Sequence, residues 1–520
     1  MRGFPITYSD FSGGLNNQSG PYLLQGNQAR DCLNVHTSAT GDIEKRNGFV
    51  TVSGATLTGS PINATGVHTL FPVNTATKSL IGVATTATTD TIFKMTTAGV
   101  ASSLKTGLTA NTRWYWAQGD VATGGTGPIY GLNGVDTPQK WNGSAAATEN
   151  WVATAGTVPK EAKYLTYFSS RLWCAEGSRV RYSGITGSTP DLSNWEAENY
   201  VDLEPTDGQT ITGIGIIGSY LLVFKSRKTY VIYDPNTAAN RQISNEIGCV
   251  AHRSIVQTPL GVFFLSEDQG VCKTDGKGVT PFSDSIKPTT DAVANSPATA
   301  KLAAGTMIGR RYYLSVSTLG VKNDHVLEYD MIAGSWWPHD CATNEFALLD
   351  PGGTPTLYSA DSKATRVSQA FASEVFQDNG SNYAGKSYYI TPYYAWGNSG
   401  SLRYMRYVDP HKVKRVREVR IDGVGNWEAY VATDFTDEWG LMDGEVWDQS
   451  NEGRGLFMEE TTGQFEKART GTFMEANLAT VDRHYPTPAL GRAVSFRFYN
   501  DDSHNFRIYS ETVNIQMREN

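Results

Sequence analysis

Residues 218–234, GSYLLVFKSRKTYVIYD, decide the fold. An apolar run, YLLVF, is followed by the polar turn SRK and by a second apolar run, TYVIY. A short unbroken apolar run rich in β-branched and aromatic residues reads as a strand buried on both faces, and the turn sends the chain back antiparallel. The same unit recurs as SLIGVATTATTDTIFKM (79–95), GPIYGLNGVDTPQKWNG (127–143), SSRLWCAEGSRVRYSG (169–184), LGVFFLSEDQGVCKTDG (260–276), RRYYLSVSTLGVKNDHVLEYD (310–330) and TPTLYSADSKATRVSQAF (354–371). With Ile81, Leu132, Leu172, Leu222, Phe264, Tyr313 and Leu357 as equivalent centres of the unit's first strand, the steps are 51, 40, 50, 42, 49 and 44 residues. A step of about 40–50 residues is the length of one four-stranded propeller blade.

Residues 55–375 are therefore expected to form a β-propeller of about seven blades, with six or eight also open, and an irregular stack of sandwiches is the competing arrangement. In RYYLSVS, Tyr312, Leu314 and Val316 share one face and Tyr313 and Ser315 the other, the period of a pleated strand. Near residue 380 the composition shifts to GKSYYITPYYAWGNSGS. Beyond it Phe496 and Phe498 alternate with Arg497, and Val513, Ile515 and Met517 with Asn514 and Gln516. Residues 376–520 thus read as an antiparallel β-sandwich domain, and residues 1–54 as an N-terminal arm.

Composition agrees with an all-β chain. Of 520 residues only 18% are charged, while Gly (52) and Tyr (26) are abundant. The net charge of −8 argues against binding nucleic acid by counterion release, which needs Lys and Arg at phosphates. Cys32, Cys174, Cys249, Cys272 and Cys341 are widely spaced, as expected of buried free thiols made in a reducing compartment. MRGFPITYSDF lacks the apolar core of a secretory signal, and no run approaches the ~18 residues of a membrane span, so the chain is expected to fold as a soluble protein without membrane insertion.

Chemistry-bearing patterns are weak. SEDQGVCK (266–273) partly matches an S-x-D-x-G-x-x-W box, with Lys273 where Trp should stand, and reads as a structural hairpin. GIGIIG (213–218) has GxGxxG spacing but lies between apparent strands with no helix after the glycines, and reads as a close-packed β bend. His325, His339 and His411 are isolated and read as surface or turn residues, and no pair has zinc spacing. GxSxG does not occur. No catalytic, cofactor-binding or metal-binding residue is expected, and no enzyme. Trp114, Trp116, Trp336 and Trp337 are expected in the core or at interfaces. Lys412, Lys414, Arg415, Arg417 and Arg420 form a basic run interrupted by Val413, Val416 and Val419. It reads as a solvated strand face or an intersubunit strip before a phosphate footprint.

The densest turn chemistry lies in FSGGLNNQSGPYLLQGNQARDCLNV (11–35) and GDIEKRNGF (41–49). This stretch resembles the N-terminus shared by many bacteriophage tail proteins: Gly13, Gly14, Leu15 and Asn16 open it, Pro21 links, Asn34 and Val35 form a strand, and Lys45, Arg46, Gly48 and Phe49 close it. Asn47 stands where such proteins usually have proline. Residues 164–184 and 207–234 are similar to blade sequences of tail hub or nozzle proteins of short-tailed phages, also called packaged-DNA stabilisation proteins. The resemblance implies a virion tail protein, assembled in the host bacterial cytoplasm as a homo-hexameric ring below the head-to-tail connector. Such a ring retains packaged double-stranded DNA, conducts it during ejection without sequence specificity, and attaches fibre, spike or needle proteins. An acidic conduit lets DNA slide by repelling phosphate. On this reading the arm serves assembly, with Glu44, Lys45 and Arg46 as a docking edge. A carbohydrate- or receptor-binding propeller and a minor tail protein of a long-tailed phage stay open as alternatives.

Overall fold

The computed structural model describes residues 4–20, 23–53, 55–60, 62–75, 77–119, 127–186, 189–234, 237, 239–383, 386–394, 414–425, 427–433, 440–442, 445–448, 456–458, 465–467, 481–486, 490–491 and 493–517. The fold is all-β, built of many four-stranded antiparallel sheets, and propeller-like in its larger part. Two compact units share the chain: Met1–Asn47, Ala333–His339 and Ser381–Asn520 form the first, Gly48–Ile332 and Asp340–Gly380 the second. The stretch read as an arm, 1–54, is divided between them after residue 47. Among the described residues no helix is long and apolar enough to cross a membrane.

In the second unit each sheet is a meander whose strands follow one another in sequence. The first holds Gly66–Val73, Ser79–Thr85, Asp90–Thr96 and Ala101–Leu108, and the second Tyr115–Gln118, Ile129–Leu132, Gln139–Trp141 and Glu149–Asn150. The third runs Lys163–Phe168, Arg171–Glu176, Arg179–Tyr182 and Tyr200–Asp202, and the fourth Ile211–Ile217, Tyr220–Lys225, Thr229–Asp234 and Ala239–Ser244. Val256–Thr258, Gly261–Leu265, Val271–Thr274 and Val279–Pro281 make the fifth, and Ala304–Ile308, Arg311–Val316 and His325–Asp330 begin the sixth. The last breaks the rule: Thr343–Leu349, Thr356–Asp361 and Val367–Ala372 are completed by Gly48–Thr51, from the opposite end of the unit's sequence.

Packing between successive sheets explains the unbroken apolar runs. Leu221 and Val223 join Trp173 and Val180 of the third sheet, while Leu222 and Phe224, on the other face of the same strand, join Val262 and Phe264 of the fifth. A strand between two sheets needs apolar residues at every position, and YLLVF supplies them. Trp114, Trp116 and Trp141 pack with Ile81 and Ile92 across the first and second sheets. Phe263 meets Tyr312 edge-on at 5.3 Å between the fifth and sixth. Leu70, Leu80 and Phe93 of the first sheet cluster with Leu349, Tyr358 and Val367 of the last, so the succession returns on itself. The centres Ile81, Leu132, Leu172, Leu222, Phe264, Tyr313 and Leu357 all fall on the second strand of their sheet, one strand later than the sequence suggested.

The first unit contains two larger antiparallel sheets. One has the order Glu445–Asp448, Val481–Pro486, Lys414–Gly425, Phe506–Met517, Ile43–Lys45 and Val35–Thr37, with Phe4–Tyr8 also on Phe506–Met517 and Leu490–Gly491 also on Lys414–Gly425. The other has the order Asp31–Leu33, Ser387–Ile390, Val494–Asn500, Glu428–Thr433 and Gly440–Leu441. Phe496 and Phe498 are fully buried, and Arg497 between them lies 5.1 Å from the Tyr388 ring centre. The N-terminal strands thus belong to the same sheets as the C-terminal ones.

Trp114, Trp116, Trp336 and Trp337 are all buried. Cys32, Cys174, Cys249 and Cys272 are buried free thiols, and Cys341 is buried too. Ser266 opens the hairpin turn its sequence suggested, its N–H donating to the Gly270 carbonyl at 2.8 Å. GIGIIG lies on a strand, where a Cβ on Gly213 or Gly215 would come within 2.7 Å of Ile255. His339 departs from expectation: it is fully buried on the strand Ser335–His339, with the His36 ring 6.3 Å away. His411 lies outside the described residues.

Candidate functional site

The N-terminal residues singled out in the sequence fall into three places. Gly13 and Gly14 begin a short parallel pairing, Gly14–Leu15 with Gln28–Ala29, in which the Gly13 N–H donates to the Asn27 carbonyl at 3.0 Å. Gly14 has φ +63°, and a Cβ there would sit 2.7 Å from the Ser335 Cβ, so both conformation and space call for glycine. Leu15 is buried, and Asn16 closes the loop by donating to Gln28 Oε1 at 3.1 Å and accepting the Ser19 N–H at 3.0 Å. Pro21 lies outside the described residues.

Asn34, Glu44, Lys45 and Arg46 form the second place, inside the first unit. Arg46 is fully buried; its Nε donates to Asn34 Oδ1 at 2.8 Å, and its guanidinium lies 3.8 Å from the Tyr383 ring centre. Asn34 adopts φ +56° and donates to the Lys386 carbonyl at 2.6 Å. Lys45, 2% exposed, donates to Asn500 Oδ1 at 2.8 Å and to the Asp502 carbonyl at 2.5 Å. Glu44 pairs with His36 at 3.2 Å and with Arg507. Burial would raise the Glu44 carboxyl, but His36 and Arg507 outweigh it and hold its pKa at about 2. The docking edge read from the sequence is thereby corrected: these charges turn inward, because partners at 383, 500, 502 and 507 satisfy them there.

Gly48 and Phe49 are the third place, in the second unit. The Gly48 N–H donates to the Val375 carbonyl at 2.5 Å, and a Cβ on it would lie 1.9 Å from the Gln377 carbonyl oxygen. Phe49 packs on Phe371 at 5.2 Å. Of the basic strip, Lys412 lies outside the described residues; Lys414, Arg415, Arg417 and Arg420 lie on Lys414–Gly425, a strand paired on both sides. Val416 and Val419 are buried and Arg420 is half-buried.

A constellation that sequence reading did not find occupies the middle of the second unit. Arg253, on the turn His252–Ser254, donates to the His68 carbonyl and the Trp114 carbonyl, each at 2.9 Å, and pairs with Glu345. It therefore reaches the first, second and last sheets from the entrance to the fifth. Arg113 extends toward the sixth, both terminal nitrogens lying 3.4 Å from the Leu302 carbonyl. Tyr115, Tyr164 and His252 pack ring to ring at 4.9–5.4 Å. Tyr164 holds φ +60°, a left-handed conformation costly for a bulky residue.

Desolvation pushes His252 down to about 3, with Arg253 adding to it, so its ring is neutral and its Nδ1 accepts the Ile214 N–H at 3.3 Å. His68 is also lowered, first by burial, although Asp90 at 3.0 Å opposes that. Asp90 is lowered: burial would raise it, but His68 and the N–H groups of Asn111 and Thr112 prevail. The centre thus offers fixed donors and cations, with its imidazoles held neutral. The stretches RWYWAQ and AHRS carry Arg113 and Arg253, but no local spacing distinguishes them from surface arginines.

A hollow of about 240 Å³ lies elsewhere in the unit, lined by Phe71, Pro72, Asn74, Trp116, Gln118 and Tyr167 among others. No family model matches the chain, and no curated protein matches it. Among solved structures it is similar to the computationally designed Ika8 protein, at 12% identity and TM-score 0.37, over 67% of this chain and 98% of that one. It is also similar to YCF48 from Cyanidioschyzon merolae, at 9% identity and TM-score 0.40, over 62% of this chain and 98% of that one. Likeness at this level carries no functional argument.

Proposed function

We propose that this chain is a structural virion protein of a bacteriophage tail: a hexameric nozzle or hub that sits below the connector, retains packaged DNA, conducts it and attaches other tail parts. The observation that carries the reading is the use made of the tail-protein motif. Asn34 and Arg46 lock one unit from within, and Gly48 starts the strand that completes the last sheet of the other. A motif embedded in both units marks an architecture rather than an appended sequence. On this reading the second unit is a seven-bladed propeller and residues 376–520 supply most of a β-sandwich. Because Arg113 and Arg253 cross the propeller's middle, the DNA conduit lies between copies, along the axis of the ring.

The role needs no catalytic group or cofactor, and its partners are other copies of the chain, connector proteins, fibre, spike or needle proteins, and DNA in passage. Six 56.7 kDa chains form the ring, roughly 340 kDa in all. Native mass measurement, alone and with purified connector, tests this, and a chain that stays monomeric in both overturns it. Electron microscopy of tails labelled on this protein separates the short-tailed nozzle from a long-tailed minor protein. The aromatic hollow at Phe71, Trp116 and Tyr167 favours a second reading, a carbohydrate- or receptor-binding unit, because aromatic faces beside amide groups suit sugar rings. Saturable binding on a glycan array, lost in Tyr167→Ala, would support that reading.

A further inference from the structure

The centre of the second unit holds two arginines that are served very differently. Arg253 is satisfied by two carbonyls at 2.9 Å, by Thr69 Oγ1 at 3.3 Å and by the Glu345 carboxylate. Arg113 has two long contacts at 3.4 Å to one carbonyl, and no ion pair with a carboxylate among the described residues. The nearby acid Asp90 is already committed to His68 and to the N–H groups of Asn111 and Thr112. Of the two guanidiniums, Arg113 is therefore the one that no carboxylate contacts among the described residues.

That charge is desolvated, since burial lowers the Arg113 pKa and the only opposing influence is Tyr115. Yet Arg113 is not sealed: the residue is half-buried, and its two terminal nitrogens have only the long contacts to the Leu302 carbonyl. A guanidinium with spare donors in a planar fork, screened from bulk water but reachable, is the arrangement that binds an oxyanion through charge-assisted paired hydrogen bonds. Arg253 raises the local potential while its own donors are occupied by the protein.

We propose that Arg113 anchors a small-oxyanion site at the middle of the second unit, taking a phosphate or carboxylate group, with Arg253 supporting the charge. The site does not rest on the tail reading and holds for any role of the chain.

The full chain is titrated with inorganic phosphate and, separately, with acetate, against chloride at equal ionic strength, with thermal melting and calorimetry as readouts. Saturable stabilisation by at least one oxyanion and none by chloride is the expected result, and the two arms tell a tetrahedral ligand from a planar one. Arg113→Gln binds about tenfold more weakly or worse, while Arg227→Gln, at an exposed arginine, is unchanged. Should Arg113→Gln not fold, Arg113→Lys keeps the charge, loses the fork and shows reduced affinity. A wild-type chain that responds to phosphate and acetate no more than to chloride overturns the proposal without any variant. Binding undiminished in the folded Arg113 variant overturns it as well.

Discussion

Arg46 and Tyr383 hold each other twice: the guanidinium lies 3.8 Å from the ring centre, and the Tyr383 hydroxyl donates to the Arg46 backbone carbonyl at 2.7 Å. The two contacts separate by mutation. Tyr383→Phe keeps the ring and loses one hydrogen bond, at a cost of about 1 kcal/mol. Arg46→Ala strands Asn34 and empties the ring face, at about 3 kcal/mol or more. Urea unfolding of the first unit's signal checks the order, and equal losses would show that the ring contact contributes nothing.

Gly48 and Gly177 separate two reasons for glycine. Gly48→Ala would drive a Cβ into the Gln377 carbonyl oxygen, 1.9 Å away, and is expected to cost more than about 2 kcal/mol or to open the last sheet. Gly177 has φ +63° and no atom within 4 Å, so Gly177→Ala meets only backbone strain, about 1–2 kcal/mol. Thermal melting compares them, and a smaller loss at Gly48 would contradict the close approach.

Glu44 sets an acid limit. Its pKa is lowered when folded, to about 2, so its contribution is complete above the ordinary carboxylate pKa and is lost as the pH falls toward 2. The contribution is on the order of 2–3 kcal/mol. Glu44→Gln should melt lower than wild type at pH 7, with the gap closing toward pH 2. A gap independent of pH over that window would exclude the ion pair as its source.

Glu511 has the opposite sign. It is fully buried on Phe506–Met517, both carboxylate oxygens lack a partner among the described residues, and burial pushes its pKa well up. The folded state therefore keeps a proton that the unfolded state releases, and stability falls as the pH rises above the ordinary carboxylate pKa. Glu511→Gln is expected to be more stable than wild type at pH 7, with no advantage near pH 4. Paired melts at the two pH values decide it; a variant less stable at pH 7 would reveal a partner for the carboxylate.

What was legible in the sequence was whatever depends on near neighbours in the chain. The hairpin pairing Tyr220–Lys225 with Thr229–Asp234 could be seen because both strands are buried on both faces and the turn lies between them. The strands flanking such hairpins escaped notice: Val256–Thr258 is only VQT, and Ala239–Ser244 is ANRQIS, an exposed edge without apolar alternation. Hence each repeat was read one strand out of phase. Lys45 and Arg46 read as surface because charge usually is, and their partners Tyr383 and Asn500 stand more than 300 residues away. Arg113 and Arg253 gave no signal, since a central position is a property of the closed succession of sheets and not of any segment.

The strand Gly48–Thr51 also sets an order of events during synthesis. Ser53, just beyond it, bonds Val367 across 314 residues, so this early strand waits with its edge unpaired while every intervening sheet is made. The entropy of closing so long a loop must be met at the end of folding, by a handful of hydrogen bonds and the Phe49–Phe371 contact. A nascent chain cut short before Val367 therefore carries an open sheet edge, which invites pairing with other copies until the tail end of the unit arrives.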